Sequence, residues 1–330
     1  MRTLRQTASA LLAAVFCLAG SVGAGPAHAD DYPSRPIRMI IPWSVGGSTD
    51  MLGRLLAEGM GRQLGGAAIV VENKPGATGT IGYAQVARAP GDGYTLLLGT
   101  NSTFAIAPHF YRELPYDLQK DIRPIGMIGG NQQVLCVQPT APYKTVADLV
   151  AAAKAKPGAI NYASSGVGGS SHLATELMMS TTGINMMHVP YRGGAPAVQA
   201  LLGGQTEVGF VDISVAEPLI HSGKLRALGT SGANRAPLLP DVPTLAESGV
   251  PGFESLTTFG LFVPASTPDA IVQKLNVALN NSLKEPKLAK QLAAQGYELT
   301  AGSPQAYVAY AAQESRKWGD LIAQRHITLP

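Results

Sequence analysis

One recurring unit constrains what this chain can fold into: a short apolar run, a turn of glycines and hydroxyls, then an amphipathic helix. It is clearest from Ile37 to Arg54, IRMIIPWSVGGSTDMLGR. Ile37, Met39, Ile40 and Ile41 suit a buried strand, and Pro42 stops it. Ser48 or Thr49 stands where it would cap a helix beginning near Asp50, along which Met51, Leu52, Leu55, Leu56 and Met60 recur at helical spacing. Asp50 and Arg54, one turn apart, form a pair that supports the helix, although Asp50 could also contact a ligand. A helix start leaves backbone N–H groups without partners, and its dipole adds about half a positive charge. The loop therefore suits a carboxylate or similar anion, unless it is a plain βα turn in which glycine only relieves strain.

The unit repeats. Ala67 to Glu72 predicts a second strand, and the loop from Asn73 to Gly79 leads into a helix running to about Ala89. Tyr94 to Leu98 predicts a third, with Thr100-Asn101-Ser102-Thr103 opening a helical segment. Ile122 to Gln138 reads as two β-like runs around Gly129-Gly130, where the chain is expected to cross into a second domain. There Thr145 caps a helix over Val146 to Lys156, and Ile160 to Ala163 is a short strand. The loop Ser164 to Ser171 precedes a further helix, as does Pro190-Tyr191-Arg192-Gly193-Gly194. Glu207 to Val211 and Lys224 to Gly229 are strands, Leu256 to Val263 resumes one, and helices from Pro268, near 285 to 295 and over 304 to 324 pack back on the first domain. Alternating strands and helices predict parallel sheets, whose loops gather along one edge. The expected domains are 30–130 with 254–330, and 131–253.

The first 29 residues read as a secretory signal peptide: Arg2 and Arg5 precede the apolar run Ala8 to Gly20, and Ala27-His28-Ala29 is a cleavage site. The run is too short to span a membrane, and no later stretch reaches the roughly 20 apolar residues required. Cys17 lies inside the apolar core rather than at the cleavage point, which argues against a lipid anchor. Cleavage leaves Cys136 alone, so no intrachain disulfide forms, and its apolar surroundings place it in the core. Losing Arg2 and Arg5 lowers the formal charge from +3 to about +1, with no block of like charge, so nothing favours nucleic acid.

Catalytic patterns are absent. ASSGVGGSSH does not form G-x-S-x-G, although His172 beside Ser170 and Ser171 leaves a serine hydrolase as a rival reading. The histidines lack metal-binding spacing, so no metal site is expected, and the glycine loops match neither a dinucleotide fingerprint nor a phosphate-binding P-loop, so no cofactor is expected.

Four ordered motifs, P-W-S-V-G-G-S-T-D at 42 to 50, V-E-N-K-P-G-A-T-G at 71 to 79, G-D-G-Y-T-L at 91 to 96 and P-Y-R-G-G-A-P-A at 190 to 197, resemble the Bug family. These are periplasmic receptors of tripartite tricarboxylate transporters. The resemblance implies an α/β protein of the type II periplasmic-binding-protein fold, two α/β domains closing on a small organic acid that is then delivered to a membrane permease. It implies a first loop of Trp43, Ser44, Gly46, Gly47, Ser48 and Asp50, with Asn101 and Ser102 beside it. Ser165, Gly166 and Ser171 would face them, and Tyr191, Gly194, Ala195 and Asp212 would form the distal wall. Asp212 also fits a turn or cap. Trp43 stands where phenylalanine is usual, and its indole either alters the ligand's shape or packs against the domain. A periplasmic monomer without enzymatic activity is expected; a ligand sensor docking on a signalling partner is the alternative.

Overall fold

The computed structural model describes residues 32–111 and 113–328. The signal-peptide reading, Cys17 and the proposed start at Asp30 lie outside the described residues. The chain divides into two contact units, Met1–Ser34 and Arg35–Pro330; the fold and site described below lie within the second.

The opening strand β1 (Ile37–Ile41) is buried at every position except Arg38, whose guanidinium reaches Glu72 at 2.7 Å. Helix α1 (Ser48–Gln63) follows, then β2 (Ile69–Asn73), α2 (Thr80–Ala87) and β3 (Thr95–Thr100). β1 pairs in parallel with both β2 and β3, so the loops leaving these strands share one edge. After β3 the chain makes a wide π-type turn at Ser102–Ile106 and a 3₁₀ turn at Ala107–His109, in place of an ordinary α-helix.

The next strand, β4 (Ile122–Val137), is continuous where the sequence suggests two runs. Gly129-Gly130 is not a break. A Cβ on Gly129, whose φ is +150°, would lie 2.0 Å from the Glu298 carbonyl oxygen, so the glycine permits a bulge under an overlying strand. Beyond β4 come α3 (Val146–Ala155), β5 (Asn161–Ser164), α4 (Ser170–Thr182), β6 (Met187–Pro190), α5 (Gly194–Leu202), β7 (Val208–Asp212), α6 (Ile213–His221) and β8 (Arg226–Thr230). Thr145 and Asp148 form a reciprocal capping box that starts α3. The chain returns through β9 (Leu256–Pro264) and finishes with α7 (Asp269–Lys284), α8 (Pro286–Ala293), β10 (Tyr297–Leu299), which lies over Gly129, and α9 (Pro304–Arg325).

The main strand order is β2-β1-β3-β9-β4-β7-β5-β6, with β8 and β10 also pairing with β4. β4 bonds antiparallel to β9 as far as Gln132, then to β7 and β8 from Gln133 and Val134 onward. The halves on either side form two α/β lobes. One core holds Tyr83, Phe104, Phe262, Tyr307 and the fully buried Trp318; another holds Leu135, Tyr162, Met178 and Phe253. Cys136 is fully buried, as its apolar flanks predict. The two lobes meet along the edge where the strand-end loops gather.

Candidate functional site

The first jaw is held from behind. Asp50 accepts hydrogen bonds from the Gly46 N–H at 3.0 Å, the Asn73 amide at 3.1 Å and Arg54 at 2.9 Å, while Asn73 also donates to the Trp43 carbonyl at 3.0 Å. Burial works to raise the Asp50 carboxyl, but these bonds and the Arg54 charge outweigh it and hold it below the usual range. Asp50 thus shapes the loop rather than facing the cleft. Neither Ser48 nor Thr49 caps α1: Gly47 is the N-cap, without a side-chain cap bond, and both residues lie in the first turn. Their position turns them toward the cleft.

The facing jaw is the loop from Ser164 to Ser171. Ser171 Oγ accepts the Ser165 N–H at 2.9 Å and lies 3.1 Å from Ser165 Oγ, which folds the loop over the start of α4. His172 Nδ1 accepts the Gly168 N–H at 3.1 Å, so His172 supports this loop instead of activating a serine. It stacks 4.0 Å from His188, and burial, with His188 beside it, drives His172 well below its ordinary pKa.

The two jaws are shut on one another. Ser48 Oγ donates to Asp212, Thr257 Oγ1 donates to Asp212 at 2.7 Å, and Ser170 Oγ lies 2.9 Å from Thr257 Oγ1. Ser170 N donates to Ser102 Oγ at 3.0 Å, and Thr78 Oγ1 donates to the Val167 carbonyl at 2.6 Å. Asp212 precedes α6 but makes no side-chain cap bond. Its carboxylate points between the lobes instead, where burial raises its pKa against the opposing hydrogen bonds from Ser48, Thr257 and Gln133.

These contacts enclose a cavity of about 50 Å³. Of the residues expected at the site, Trp43, Ser44, Gly47, Ser48, Ser102, Ser165, Ser171, Gly194 and Asp212 line it. The others do not. Gly46 spends its N–H on Asp50, Asn101 turns away to donate to the Leu256 carbonyl at 2.9 Å, and Ala195 is half-buried in α5 off the cavity. Gly166 and Tyr191 instead line a separate outer chamber of about 370 Å³, which shares Trp43 and Ser165 with the inner cavity.

Sequence reasoning missed Thr49, Thr100, Gln133, Ser170 and Thr257 as polar lining, and Ala197, Val198, Leu201, Val211 and Val215 as an apolar wall. Thr49 and Ser170 were within reach, being adjacent to lining residues in their loops. Gln133 and Thr257 sit on long strands with no local signal. Four lining atoms, Trp43 Nε1, Ser44 Oγ, Thr100 Oγ1 and Gln133 Oε1, are buried without a protein hydrogen-bond partner. Buried polar atoms are costly unless paired, and these four, unlike others buried elsewhere in the protein, are placed where a polar guest in the cavity could pair with them.

The first turns of α1, α4, α5 and α6 all contribute to the same cavity, bringing the positive ends of four helices to it from both lobes. Such a clamp, with polar loops on two α/β lobes joined by a crossing strand, defines a solute-binding protein of the periplasmic type. The chain belongs to the tripartite tricarboxylate transporter family receptors, whose family model matches residues 52–327, and within them to the Bug proteins. It is 35% identical to the protein BugT of Bordetella pertussis over 316 residues, covering 95% of this chain and 97% of that one. Its fold is similar to that of the periplasmic binding protein BugD, with TM-score 0.85, 35% identity and coverage of 90% and 99%. It is likewise similar to Rpa4515 of R. palustris, solved with adipate, with TM-score 0.87, 34% identity and coverage of 90% and 99%. The matching family model is that of a transporter receptor, and BugD is a periplasmic binding protein.

Proposed function

We propose that this protein captures a small organic acid between its lobes in the periplasm and presents the closed form to a membrane permease. The carrying observation is the cavity itself, where four helix N-termini and four unpartnered polar atoms face a space with no basic side chain in its lining. An anion held by backbone N–H groups and hydroxyls needs no arginine. The adipate in the similar Rpa4515 structure supports the choice of a carboxylic acid.

In this reading the lobes are 30–130 with 254–330, and 131–253, and the change of β4's partners between Gln132 and Gln133 supports that division. Ser44, Gly47, Ser48, Ser102, Ser165, Ser171 and Gly194 hold the ligand, with Thr49, Thr100 and Ser170 added from the geometry. Trp43 and Asp212 set its shape. The protein acts as a monomer exported by the signal peptide at residues 1–29. Among the described residues no helix is long and apolar enough to cross a membrane.

A thermal-shift panel of mono- and dicarboxylic acids tests the reading. Ligand at 100 times its Kd stabilises the folded state by about 2.7 kcal/mol. Ser165→Tyr combined with Gly47→Asp fills both jaws and is expected to abolish that stabilisation; unchanged stabilisation removes this cleft as the binding site.

A further inference from the structure

We infer that the site selects acids with a single carboxylate and an apolar body, and discriminates against dicarboxylates. The inference rests on the carboxylate-receptor reading and specifies which acids that receptor takes. Two features of the cavity carry it: an apolar wall sunk into one lobe, and a carboxylate of the protein's own inside the enclosure.

The wall comes from α5, β7 and α6. Ala197, Val198 and Leu201 fall on one side of α5, and Val211 and Val215 continue the surface. Gly209 of β7 forms part of its floor. A Cβ there would touch Leu201 Cδ2 at 3.7 Å and Ala163 Cβ at 3.8 Å, ordinary contacts, so a longer side chain at this position would occupy the pocket. A second carboxylate pressed against this wall loses its water without gaining donors.

Charge gives the same answer. The first turns of α1, α4, α5 and α6 bring together about two positive charges, while Asp212 supplies one negative charge. One ligand carboxylate leaves the enclosure close to neutral. A second adds a charge that nothing offsets, because no arginine, lysine or histidine lines the cavity. Asp212 has also drawn the Ser48 and Thr257 hydroxyls to itself, which removes two donors that a second carboxylate would need.

Succinate and 4-methylpentanoate have the same heavy-atom skeleton, a carboxylate in one replacing an isopropyl group in the other. Calorimetric titration of both at pH 7 is expected to show 4-methylpentanoate binding at least tenfold more tightly. Asp212→Asn keeps the shape and removes the charge, and is expected to narrow the gap at least threefold, mainly by strengthening succinate. Gly209→Val is expected to weaken 4-methylpentanoate at least tenfold. Succinate binding as tightly as its apolar isostere, or an unchanged gap in Asp212→Asn, overturns the inference and leaves the receptor reading standing. Tight succinate binding that weakens in Arg192→Ala overturns it too, since the second carboxylate would then sit in the outer chamber. If no acid of any kind binds the folded protein, the receptor reading itself falls.

Discussion

Gly193 offers a way to separate closing from folding. It has φ +117°, and a Cβ built on it would lie 2.5 Å from Ser44 Oγ, 3.3 Å from Ser44 Cβ and 3.5 Å from Ser44 N. Gly193 and Ser44 belong to opposite jaws, so that collision exists only when the lobes meet. Gly193→Ala therefore carries two costs. The backbone strain, about 1–3 kcal/mol, applies to open and closed forms alike and lowers stability against urea. The collision applies to the closed form alone; Ser44 is short and part of its clash is relieved by rotating Oγ, so about 1–2 kcal/mol remains. Because 1.4 kcal/mol is tenfold, ligand affinity is expected to fall by about 5- to 30-fold. Ser44→Gly removes the atoms in the way. A double-mutant cycle measured by calorimetry should show coupling of at least about 1 kcal/mol between the two positions in ligand binding, and almost none in urea stability. Additive effects on binding, or coupling of equal size in both measurements, would refute the assignment of this contact to closure.

Two further outcomes depend on pH. The Asp50 carboxyl lies below its ordinary value of 3.8, so its stabilising effect is complete above that pH and fades as pH falls through its lower folded-state value; Asp50→Asn should destabilise the protein at pH 7 and differ little from the parent in strong acid, as urea midpoints across the range would reveal. His188 is pushed down by burial from 6.5 to about 4, so the unfolded chain gains its proton first and stability should decline between those values; His188→Gln is expected to flatten that decline, and an unaltered pH profile would count against burial as the cause.

Much of the fold is visible in the spacing of apolar residues, because each strand and helix buries one recognisable face. The loops at Gly47-Ser48, Ser165 and Gly194 stand out for the same reason: glycines and hydroxyls between an apolar run and a helix have few other uses. The rest depends on neighbours distant in sequence. Asn101 sits among promising hydroxyls, yet β9 lies beside it with a carbonyl to satisfy, and its amide turns there. Asp50 is drawn to the Gly46 N–H and Arg54. Thr257 reaches the cavity because of its register on a long strand, which no local pattern fixes. The α5 wall is hidden for a different reason, since Val198 and Leu201 also contribute to a buried core cluster. An apolar ligand pocket and an apolar core share one sequence signature. Gly129-Gly130 resembles a strand break because the overlying β10, which requires the glycine, lies far along the chain.

β4 has a mechanical consequence for movement between the two lobes. It is a single rod whose hydrogen-bonding partners change between Gln132 and Gln133. Its longer arm, Ile122 to Gln132, extends about 33 Å at the usual rise per residue. A bend of about 10° at the change-over moves the far end by about 6 Å, more than the length of a hydrogen bond. The strand is therefore a lever with a short working end beside the ligand and a long end at the opposite rim of the sheet. A bend at the change-over set off by a shift of a hydroxyl or two in the cavity would be geared up into a change of outline far from the ligand.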